Sequence, residues 1–281
     1  MNDRLHTAAV AVSAGEIRNA MTIDVEDYFQ VSAFAPVIPR DSWEARECRV
    51  ERNVGRILEL LAANDVKATF FTLGWIAERY PALVRRIVDG GHELASHGYG
   101  HLRASDQTRP EFTEDIRKSK AILEDIGGQP VLGYRAPSFS IGSANLWALD
   151  VLQEAGYRYS SSIYPIQHDH YGMPDAPRFA FYPNGPDGLL EVPITTVQVM
   201  QRKLPAGGGG YFRLLPYALS RWMMERVNQV DQQSAIFYFH PWEIDPGQPR
   251  PGGASIKSRF RHYVNLGRME GRIAQLTRDF K

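Results

Sequence analysis

Two histidines, His97 and His101, stand four residues apart in the segment Ala-Ser-His-Gly-Tyr-Gly-His. On a helical turn this spacing places both imidazoles on one side of the chain, where they could bind a divalent metal ion. The other interpretation is a pair of histidines that only make surface hydrogen bonds. The spacing therefore predicts a candidate metal site and leaves both interpretations open.

Three acidic residues, Asp24, Glu26 and Asp27, stand near the end of a predicted strand. Side chains two residues apart in a strand point to the same face, so Asp24 and Glu26 can share one pocket while Asp27 lies at the turn. Crowded carboxylates repel one another unless a proton or a cation neutralises them. The segment is therefore either part of a cation-binding site or a solvated acidic turn.

Two more polar clusters follow predicted strands. Arg135 ends one strand, and Pro137 then fixes a turn that exposes the amide of Ser138. An arginine can orient a carboxylate base, and an exposed amide can donate to an oxyanion. His240 ends another strand, immediately before a proline. Taken singly, Arg135 could belong to a structural ion pair, and His240 could be a capped histidine of the core.

The elements that must position these groups alternate between helices and strands. Hydrophobic periodicity and the positions of Gly and Pro predict helices that end near residue 64 and that span residues 82–89, 112–126, 146–154 and 217–228. Apolar, β-branched and aromatic runs predict strands at residues 21–24, 67–73, 93–96, 131–134, 157–160, 190–195 and 235–239.

About seven strands separated mostly by helices favour a parallel α/β sheet. Periodicity does not distinguish a closed barrel from a doubly wound sheet, although the chain has no dinucleotide-binding or phosphate-loop motif. In α/β barrels the active site forms at the carboxyl ends of the strands. All four polar clusters follow predicted strands, so we expect them to form one site.

The composition narrows the class of protein. The 281 residues are enough for a sizeable core, and 32 Lys and Arg balance 32 Asp and Glu, which disfavours a nucleic-acid partner. The lone Cys48 excludes an internal disulfide, and no apolar run of about eighteen residues predicts a membrane span. The apolar stretch 8–13 is too short for a secretory leader, which predicts a cytoplasmic protein, or a periplasmic one if a leader has been removed.

The four clusters together resemble the motifs of the polysaccharide deacetylase family, carbohydrate esterase family four, over roughly residues 21–242. The family's Thr-Phe-Asp-Asp-Gly motif is similar to Thr-Ile-Asp-Val-Glu-Asp at 22–27, and His-Ser/Thr-x-x-His is similar to His-Gly-Tyr-Gly-His at 97–101. Arg-x-Pro-x-Phe/Tyr matches Arg-Ala-Pro-Ser-Phe at 135–139, and the last motif ends at His240.

A finer resemblance is to the subgroup encoded with exopolysaccharide and exosortase loci. It rests on the sequences at residues 24–34, 207–216 and 259–273. The family resemblance implies a distorted (β/α) barrel of about seven parallel strands. It also implies one domain over residues 1–281, in which 243–281 pack on the motif-bearing core as a C-terminal extension.

The resemblance implies a metal-dependent hydrolase that removes acetyl groups, N-acetyl first of all, from an amino-sugar polysaccharide or oligosaccharide. Asp24 is then the general base, Arg135 orients it, and His240 is the general acid. The metal, expected to be zinc, binds His97 and His101. The metal and the Ser138 amide stabilise the oxyanion.

Substrate binding is expected from aromatic and glycine-rich segments near this site. Besides Ser138, the residues implied are Phe139, Tyr211 and Trp242, and the further aromatic candidates are Tyr28, Phe29, Trp75, Tyr164 and Phe212. Sugar rings stack on aromatic faces, but most aromatic side chains belong to the core.

Two departures from the family pattern affect these roles. Val25 stands where a metal-binding Asp is usual, so Glu26, or else Asp27, must complete the metal site. Ser160 stands where we expect the Asp that partners the catalytic histidine. Three alternatives therefore stay open: a cyclic-amide hydrolase of the allantoinase type, a carbohydrate-binding pseudoenzyme and a purely structural scaffold.

Overall fold

The computed structural model describes residues 8–9, 17–168 and 171–280, so the leader-like stretch 8–13 lies outside the described residues apart from its first two. The strands are β1 (Ala8–Ala9), β2 (Ala20–Val25), β3 (Thr69–Thr72), β4 (Glu93–Ser96), β5 (Gly133–Tyr134), β6 (Tyr159–Ser160), β7 (Phe181–Tyr182), β8 (Leu190–Glu191), β9 (Thr196–Val199), β10 (Arg202–Pro205) and β11 (Ile236–Phe239). The α-helices are α1 (Val50–Ala63), α2 (Gly74–Arg79), α3 (Pro81–Asp89), α4 (Arg109–Gly127), α5 (Trp147–Glu154), α6 (Gly209–Leu214), α7 (Tyr217–Gln229), α8 (Ile256–Tyr263) and α9 (Leu266–Asp279).

One curled sheet organises the chain. Its strand order is β1-β7-β8-β6-β5-β4-β3-β2-β11, and every pairing from β8 to β11 is parallel. Seven strands are thus parallel, as the sequence predicts, and β1 and β7 extend the sheet by antiparallel pairing. The first and last strands of the parallel set in chain order, β2 and β11, are neighbours, which confirms the barrel-like arrangement rather than a doubly wound one.

The helices form where the sequence carries an apolar stripe and a stop signal. In α1, Val54, Ile57 and Leu61 recur at helical spacing and are all buried against the sheet. The helix α4 begins with a capping box and ends before Gly128, whose φ of 65° is the left-handed conformation that glycine adopts without strain. These boundaries agree with the predicted ones.

The predicted strand at 190–195 is wrong in its extent. Residues 190–191 form β8, Val192 still donates to the Ser160 carbonyl, and the next residue, Pro193, lacks the N–H that a sheet needs. The chain then leaves the main sheet and forms β9, which pairs antiparallel with β10 as a separate hairpin. The four helices α2, α6, α8 and α9 were not predicted.

An irregular segment lies beside β11, at the edge of the main sheet. Ala206 and Gly207 donate backbone hydrogen bonds to the Thr195 carbonyl, and the Tyr238 N–H donates to the Gly207 carbonyl. A Cβ at position 207 would collide with the Ile236 carbonyl, so the close approach requires glycine. The glycine run is therefore part of the packed barrel wall.

We expect a chain that ends at Leu204 to lose cooperative folding. The truncation removes β11, which pairs with β2 along Ile236–Phe239, and it removes α9, whose Met269, Ile273 and Leu276 are buried in the same core. Thermal or urea unfolding of the truncated and full chains checks this. A truncated chain with one sharp unfolding transition would contradict the expectation.

Candidate active site

The predicted site residues converge at the carboxyl ends of the parallel strands. Asp24 lies near the end of β2, and His97 follows β4 directly. Arg135 follows β5, and His240 follows β11. Because parallel strands present their carboxyl ends to one edge of the sheet, four segments distant in sequence supply one site.

The candidate metal centre consists of Glu26, His97 and His101. One ligand atom from each lies within 4.8 Å of the other two, and Glu26 and His97 are buried. His101 Nε2 lies 2.6 Å from Glu26 Oε2. His101 has a φ of 57°, a backbone conformation that is uncommon outside glycine and that turns its ring toward His97 across a centroid distance of 5.5 Å.

The hydrogen bonds and charges of these three residues fit a divalent metal ion. His97 Nδ1 lies 2.8 Å from the Arg135 carbonyl, so with the proton assigned to Nδ1 its Nε2 keeps a free lone pair, the arrangement usual for a metal-bound imidazole. Burial lowers the pKa of His97 to about 4, which keeps its ring neutral. Glu26 Oε2 makes no hydrogen bond among the described residues, because its contact with His101 lacks hydrogen-bond geometry.

Glu26 stays ionised in this surrounding. Burial alone would raise the pKa of its carboxyl, but the neighbouring imidazoles of His101 and His240 lower it well below its usual range. A carboxylate and a neutral imidazole such as that of His97 are the ionisation states that bind metal. The Trp242 indole N–H donates to Glu26 Oε1 across 3.1 Å and so fixes the orientation of the carboxylate.

Asp27 lies outside the metal group. Its carboxylate accepts backbone hydrogen bonds from Tyr28, Arg49 and Val50, and it therefore holds the first turn of α1. Between the two acids considered as the third ligand, the structure brings Glu26 to the histidines and directs Asp27 away from them. Residue 27 follows the strand end at a turn, where strand alternation no longer fixes the direction of a side chain.

Asp24 is held by Arg135, as the sequence predicts. Both side chains are buried, and Arg135 donates from one guanidinium nitrogen to Asp24 Oδ1 at 2.6 Å and to Thr22 Oγ1 at 2.9 Å. The rest of the guanidinium donates to the carbonyl and hydroxyl of Ser161. With Oδ1 fixed in this way, Asp24 Oδ2 remains available on the side that faces His240 Nε2, 3.9 Å away.

His240 stands between three carboxylates. Its Nε2 lies 3.9 Å from Asp24 Oδ2 and 3.6 Å from Glu26 Oε1, whereas its Nδ1 lies 2.8 Å from Glu243 Oε1. Burial lowers the pKa of the His240 imidazole, but the negative charges of Glu26, Glu243 and Asp24 outweigh it and raise the pKa to about 9. The imidazole is therefore held in its protonated form, the form that can donate a proton.

Ser160 does not partner the histidine. Among the described residues, its hydroxyl donates to Ser162 at 2.8 Å, next to the buried carboxyl of Glu191, whose pKa is raised by burial. Glu243, which sequence reasoning did not assign to the site, holds His240 Nδ1 instead. The available signal was the spacing His-Pro-Trp-Glu, since residues three apart in a tight turn can form a capping box.

We expect Ser160→Asp to destabilise the fold. The new carboxylate would be fully buried beside the carboxyl of Glu191, and the desolvation of a buried charge costs several kcal/mol. Ser160→Ala is the matched control, since it removes only a hydrogen bond worth about 1 kcal/mol. Free energies of unfolding in urea separate the two variants. Equal stability of Ser160→Asp and the parent would contradict this account.

The candidate substrate residues fall into two groups. Ser138 and Phe139 form a turn in which both have left-handed backbone conformations, and Phe139 packs edge-on against Tyr164 and Tyr238 beside the site. Tyr211 is half-buried at the start of α6, within range of this aromatic group. Ser138 Oγ lies 2.6 Å from Ser32 Oγ. Phe139 is buried, whereas Ser138 and Tyr211 are partly exposed beside the strand ends.

The other aromatic candidates belong mainly to packing. Tyr28 and Phe29 are buried, and Phe29 and Trp75 pack with Trp43 in edge-on or tilted contacts within the core. Phe212 is also fully buried. Trp242 is 6% exposed and stacks between His240 and His262, so its described contacts support the site's own residues.

We expect the variant His97→Ala/His101→Ala to lose a bound divalent ion that the parent retains. Two of the three ligands disappear, whereas the fold keeps its core because neither imidazole packs in an apolar cluster. Metal analysis after purification in zinc-containing buffer measures the stoichiometry. Asp27→Asn is the matched control and should keep the ion, since Asp27 lies outside the group. An unchanged metal content in the double variant would rule this site out.

The chain matches known proteins in two parts. The polysaccharide deacetylase family matches residues 42–160, and a domain of unknown function (DUF3473) matches residues 161–281. The structure joins both parts in one sheet, since β8 of the second part pairs with β6 of the first. No described helix is both long and apolar enough to cross a membrane.

Curated relatives share part of this chain. A peptidoglycan-N-acetylglucosamine deacetylase of Bacillus cereus is 35% identical over 34% of this chain and 35% of its own length. A peptidoglycan deacetylase of Helicobacter pylori is 28% identical over 40% of this chain and 38% of its length, and a chitooligosaccharide deacetylase of Azorhizobium caulinodans is 30% identical over 36% and 48%. The matches thus span less than half the length of these relatives.

Two solved structures share the fold. A Mycobacterium smegmatis protein assigned to the polysaccharide deacetylases superposes with a TM-score of 0.62 at 18% identity, covering 97% of this chain and 88% of its own. The Puue allantoinase superposes with a TM-score of 0.54 at 16% identity, covering 93% and 84%. At these identities the likeness describes the fold, and it confirms the deacetylase-type barrel.

Proposed function

We propose that the chain is a member of the polysaccharide deacetylase family, whose model matches residues 42–160, and that it is a metal-dependent hydrolase that removes acetyl groups from an amino-sugar polysaccharide or oligosaccharide. The observation that carries the proposal is one arrangement of side chains. A group able to bind metal, Glu26 with His97 and His101, lies beside a fixed carboxylate, Asp24, and a buried imidazole, His240.

Glu26, His97 and His101 would hold the ion, and we propose zinc because two imidazoles and one carboxylate are a common catalytic zinc set. A bound ion of this kind supplies Lewis acidity, which polarises an acyl oxygen and makes water more acidic. We propose that residues 161–281 are part of the same catalytic unit, since His240 and Trp242 come from that region.

Asp24 acts as the general base. Its free oxygen takes a proton from the water whose oxygen forms the new bond to the acetyl carbon, while Arg135 keeps the other oxygen fixed. The backbone amide of Ser138 is the proposed donor to the developing negative charge.

His240 acts as the general acid. As the carbon–nitrogen bond breaks, the bonding electrons go to the sugar nitrogen, which takes the proton from His240 Nε2, and acetate and a free amine result. This donation matters because an unprotonated amide nitrogen is a very poor leaving group. Asp24 Oδ2 and His240 Nε2 lie 3.9 Å apart, so base and acid border the same small site.

The substrate is proposed by analogy with two of the relatives, a peptidoglycan-N-acetylglucosamine deacetylase and a chitooligosaccharide deacetylase. Both names point to N-acetylated amino sugars, and we extend this chemistry to an exopolysaccharide in keeping with the subgroup resemblance. Phe139 and Tyr211 are the proposed contacts for the sugar rings.

Acetate release from N-acetylglucosamine oligomers tests the proposed function. The protein is assayed as purified, after chelation, and after chelation followed by added zinc. We expect activity that disappears on chelation and returns with zinc. Release of acetate that is insensitive to chelation would contradict metal dependence. No acetate release together with hydrolysis of allantoin would favour the cyclic-amide alternative, and sugar binding without hydrolysis would favour the pseudoenzyme.

A further inference from the structure

Glu243 is buried between His240 and Arg213. Its Oε1 lies 2.8 Å from His240 Nδ1 and 3.1 Å from the backbone N–H of the same residue, and its Oε2 accepts from Arg213 Nε at 2.7 Å. The side chains of Glu243 and Arg213 are each 1% exposed. Both carboxylate oxygens are therefore occupied by charged or polar donors, and the carboxylate has one defined position.

Arg213 is itself fixed by the C-terminal region. Its two terminal nitrogens donate to the backbone carbonyls of Arg261, His262 and Val264, around the end of α8. A guanidinium held by four acceptors presents one planar geometry to its carboxylate. The orientation of Glu243 thus depends on backbone more than forty residues away from Arg213 in sequence.

The glycine run closes the remaining side of this carboxylate. A Cβ at Gly209 would collide with the Glu243 carboxylate oxygens. The third glycine of the run therefore leaves the space in which Glu243 lies, which explains a glycine at the first residue of α6. Gly209 thus leaves room for the Glu243 carboxylate and Arg213 donates to it, while the backbone carbonyls around the end of α8 hold Arg213 in place.

The bond to Nδ1 determines what the other ring nitrogen can do. With Nδ1 held by Glu243, the ring has one orientation, and Nε2 points toward Asp24 and Glu26, 3.9 and 3.6 Å away. We propose that Glu243 is the positioning residue of His240: it fixes the ring so that Nε2 delivers its proton to the leaving nitrogen. Glu243 thereby does what was expected of an Asp at position 160, where this chain has a serine. This inference rests on the proposed deacetylase function and adds a residue to it.

The test compares amide and ester substrates in Glu243→Gln. An N-acetyl amide needs a proton on its leaving nitrogen, whereas an aryl acetate such as 4-nitrophenyl acetate has a leaving group that departs without one. We expect kcat for N-acetylglucosamine oligomers to fall by about a hundredfold or more, with KM within a few-fold, and ester hydrolysis to change by less than about threefold. Glu243→Asp, which keeps the charge facing Arg213, should recover part of the amide activity.

Asp231→Asn is the matched control, because it also removes the carboxylate of an ion pair with an arginine, Arg178, outside the site. It should leave the ratio of amide to ester rates unchanged. Circular dichroism verifies that Glu243→Gln is folded, and metal analysis verifies that it binds as much metal as the parent. Equal losses on amide and ester, or an undiminished amide rate, would overturn the inference.

Imidazole nitrogen-15 NMR provides a reading that does not depend on turnover. In the parent protein the Nδ1 proton of His240 should be shifted downfield by its charge-assisted bond to Glu243, and this resonance should move or vanish in Glu243→Gln. An unchanged resonance would overturn the inference even if the parent does not hydrolyse amides. Inactivity of the parent on every acetylated sugar, with the resonance shifted as expected, would instead count against the proposed function alone.

Discussion

Replacing Asp24 with Asn is expected to lower acetate release by about a hundred- to ten-thousand-fold, the range typical for loss of a general base. Asn has nearly the shape of Asp, and its amide oxygen can still accept from Arg135, but it cannot take a proton from water. Oligosaccharide affinity should stay within a few-fold of the parent value, because a general base contributes to the rate rather than to ground-state binding. Steady-state kinetics and a separate binding measurement check both parts.

Glu26→Gln provides the contrast for this prediction. Asp24 and Glu26 are two residues apart and share one pocket, yet only Glu26 belongs to the candidate metal group. Asp24→Asn should therefore keep the bound metal ion, whereas Glu26→Gln should lower the affinity for it. Hydrolysis of acetylated sugar by Asp24→Asn at the parent rate would remove Asp24 from the role of base, whatever the metal content.

Much of the site could be predicted because its residues follow strands. Strand alternation places Asp24 and Glu26 on one face, and a parallel sheet brings His97, Arg135 and His240 to the same edge. These relations depend only on the period of a strand and on the direction of its neighbours, which sequence patterns express directly. The Asp24–Arg135 ion pair, which joins residues 111 positions apart, is of this kind.

The support around the site could not be predicted in the same way. Asp27 and Glu243 occupy turns, where one change of backbone dihedral sends a carboxylate toward a helix N-terminus or toward a histidine. To predict the contact of Glu243 with Arg213, one would have to know where α6, which carries Arg213, lies in the fold. This helix has only six residues, begins with two glycines and has no amphipathic pattern in its sequence. Such contacts depend on tertiary packing, which periodicity does not encode.

Replacing His240 with Ala is expected to lower amide deacetylation by about a hundred- to ten-thousand-fold while sparing aryl ester hydrolysis. The His240 imidazole lies 3.9 Å from Asp24 Oδ2, the oxygen that Arg135 leaves free, so its removal takes away the proposed donor to the departing sugar nitrogen. Affinity for the oligosaccharide should remain within a few-fold. Acetate release and 4-nitrophenyl acetate hydrolysis by the same preparation give the two rates. Amide hydrolysis at the parent rate would remove His240 from the role of acid.

The double variant His240→Ala/Glu243→Gln carries this prediction one step further. If Glu243 acts only through His240, its substitution should cost nothing more once the imidazole is gone, because residues that act as one unit have non-additive effects on rate. If Glu243 instead supports the site through the fold, its loss should add to that of His240 on amide and ester alike. If the double variant has the amide rate of His240→Ala alone, Glu243 acts through His240. If the two losses multiply, Glu243 instead contributes to the stability of the barrel wall.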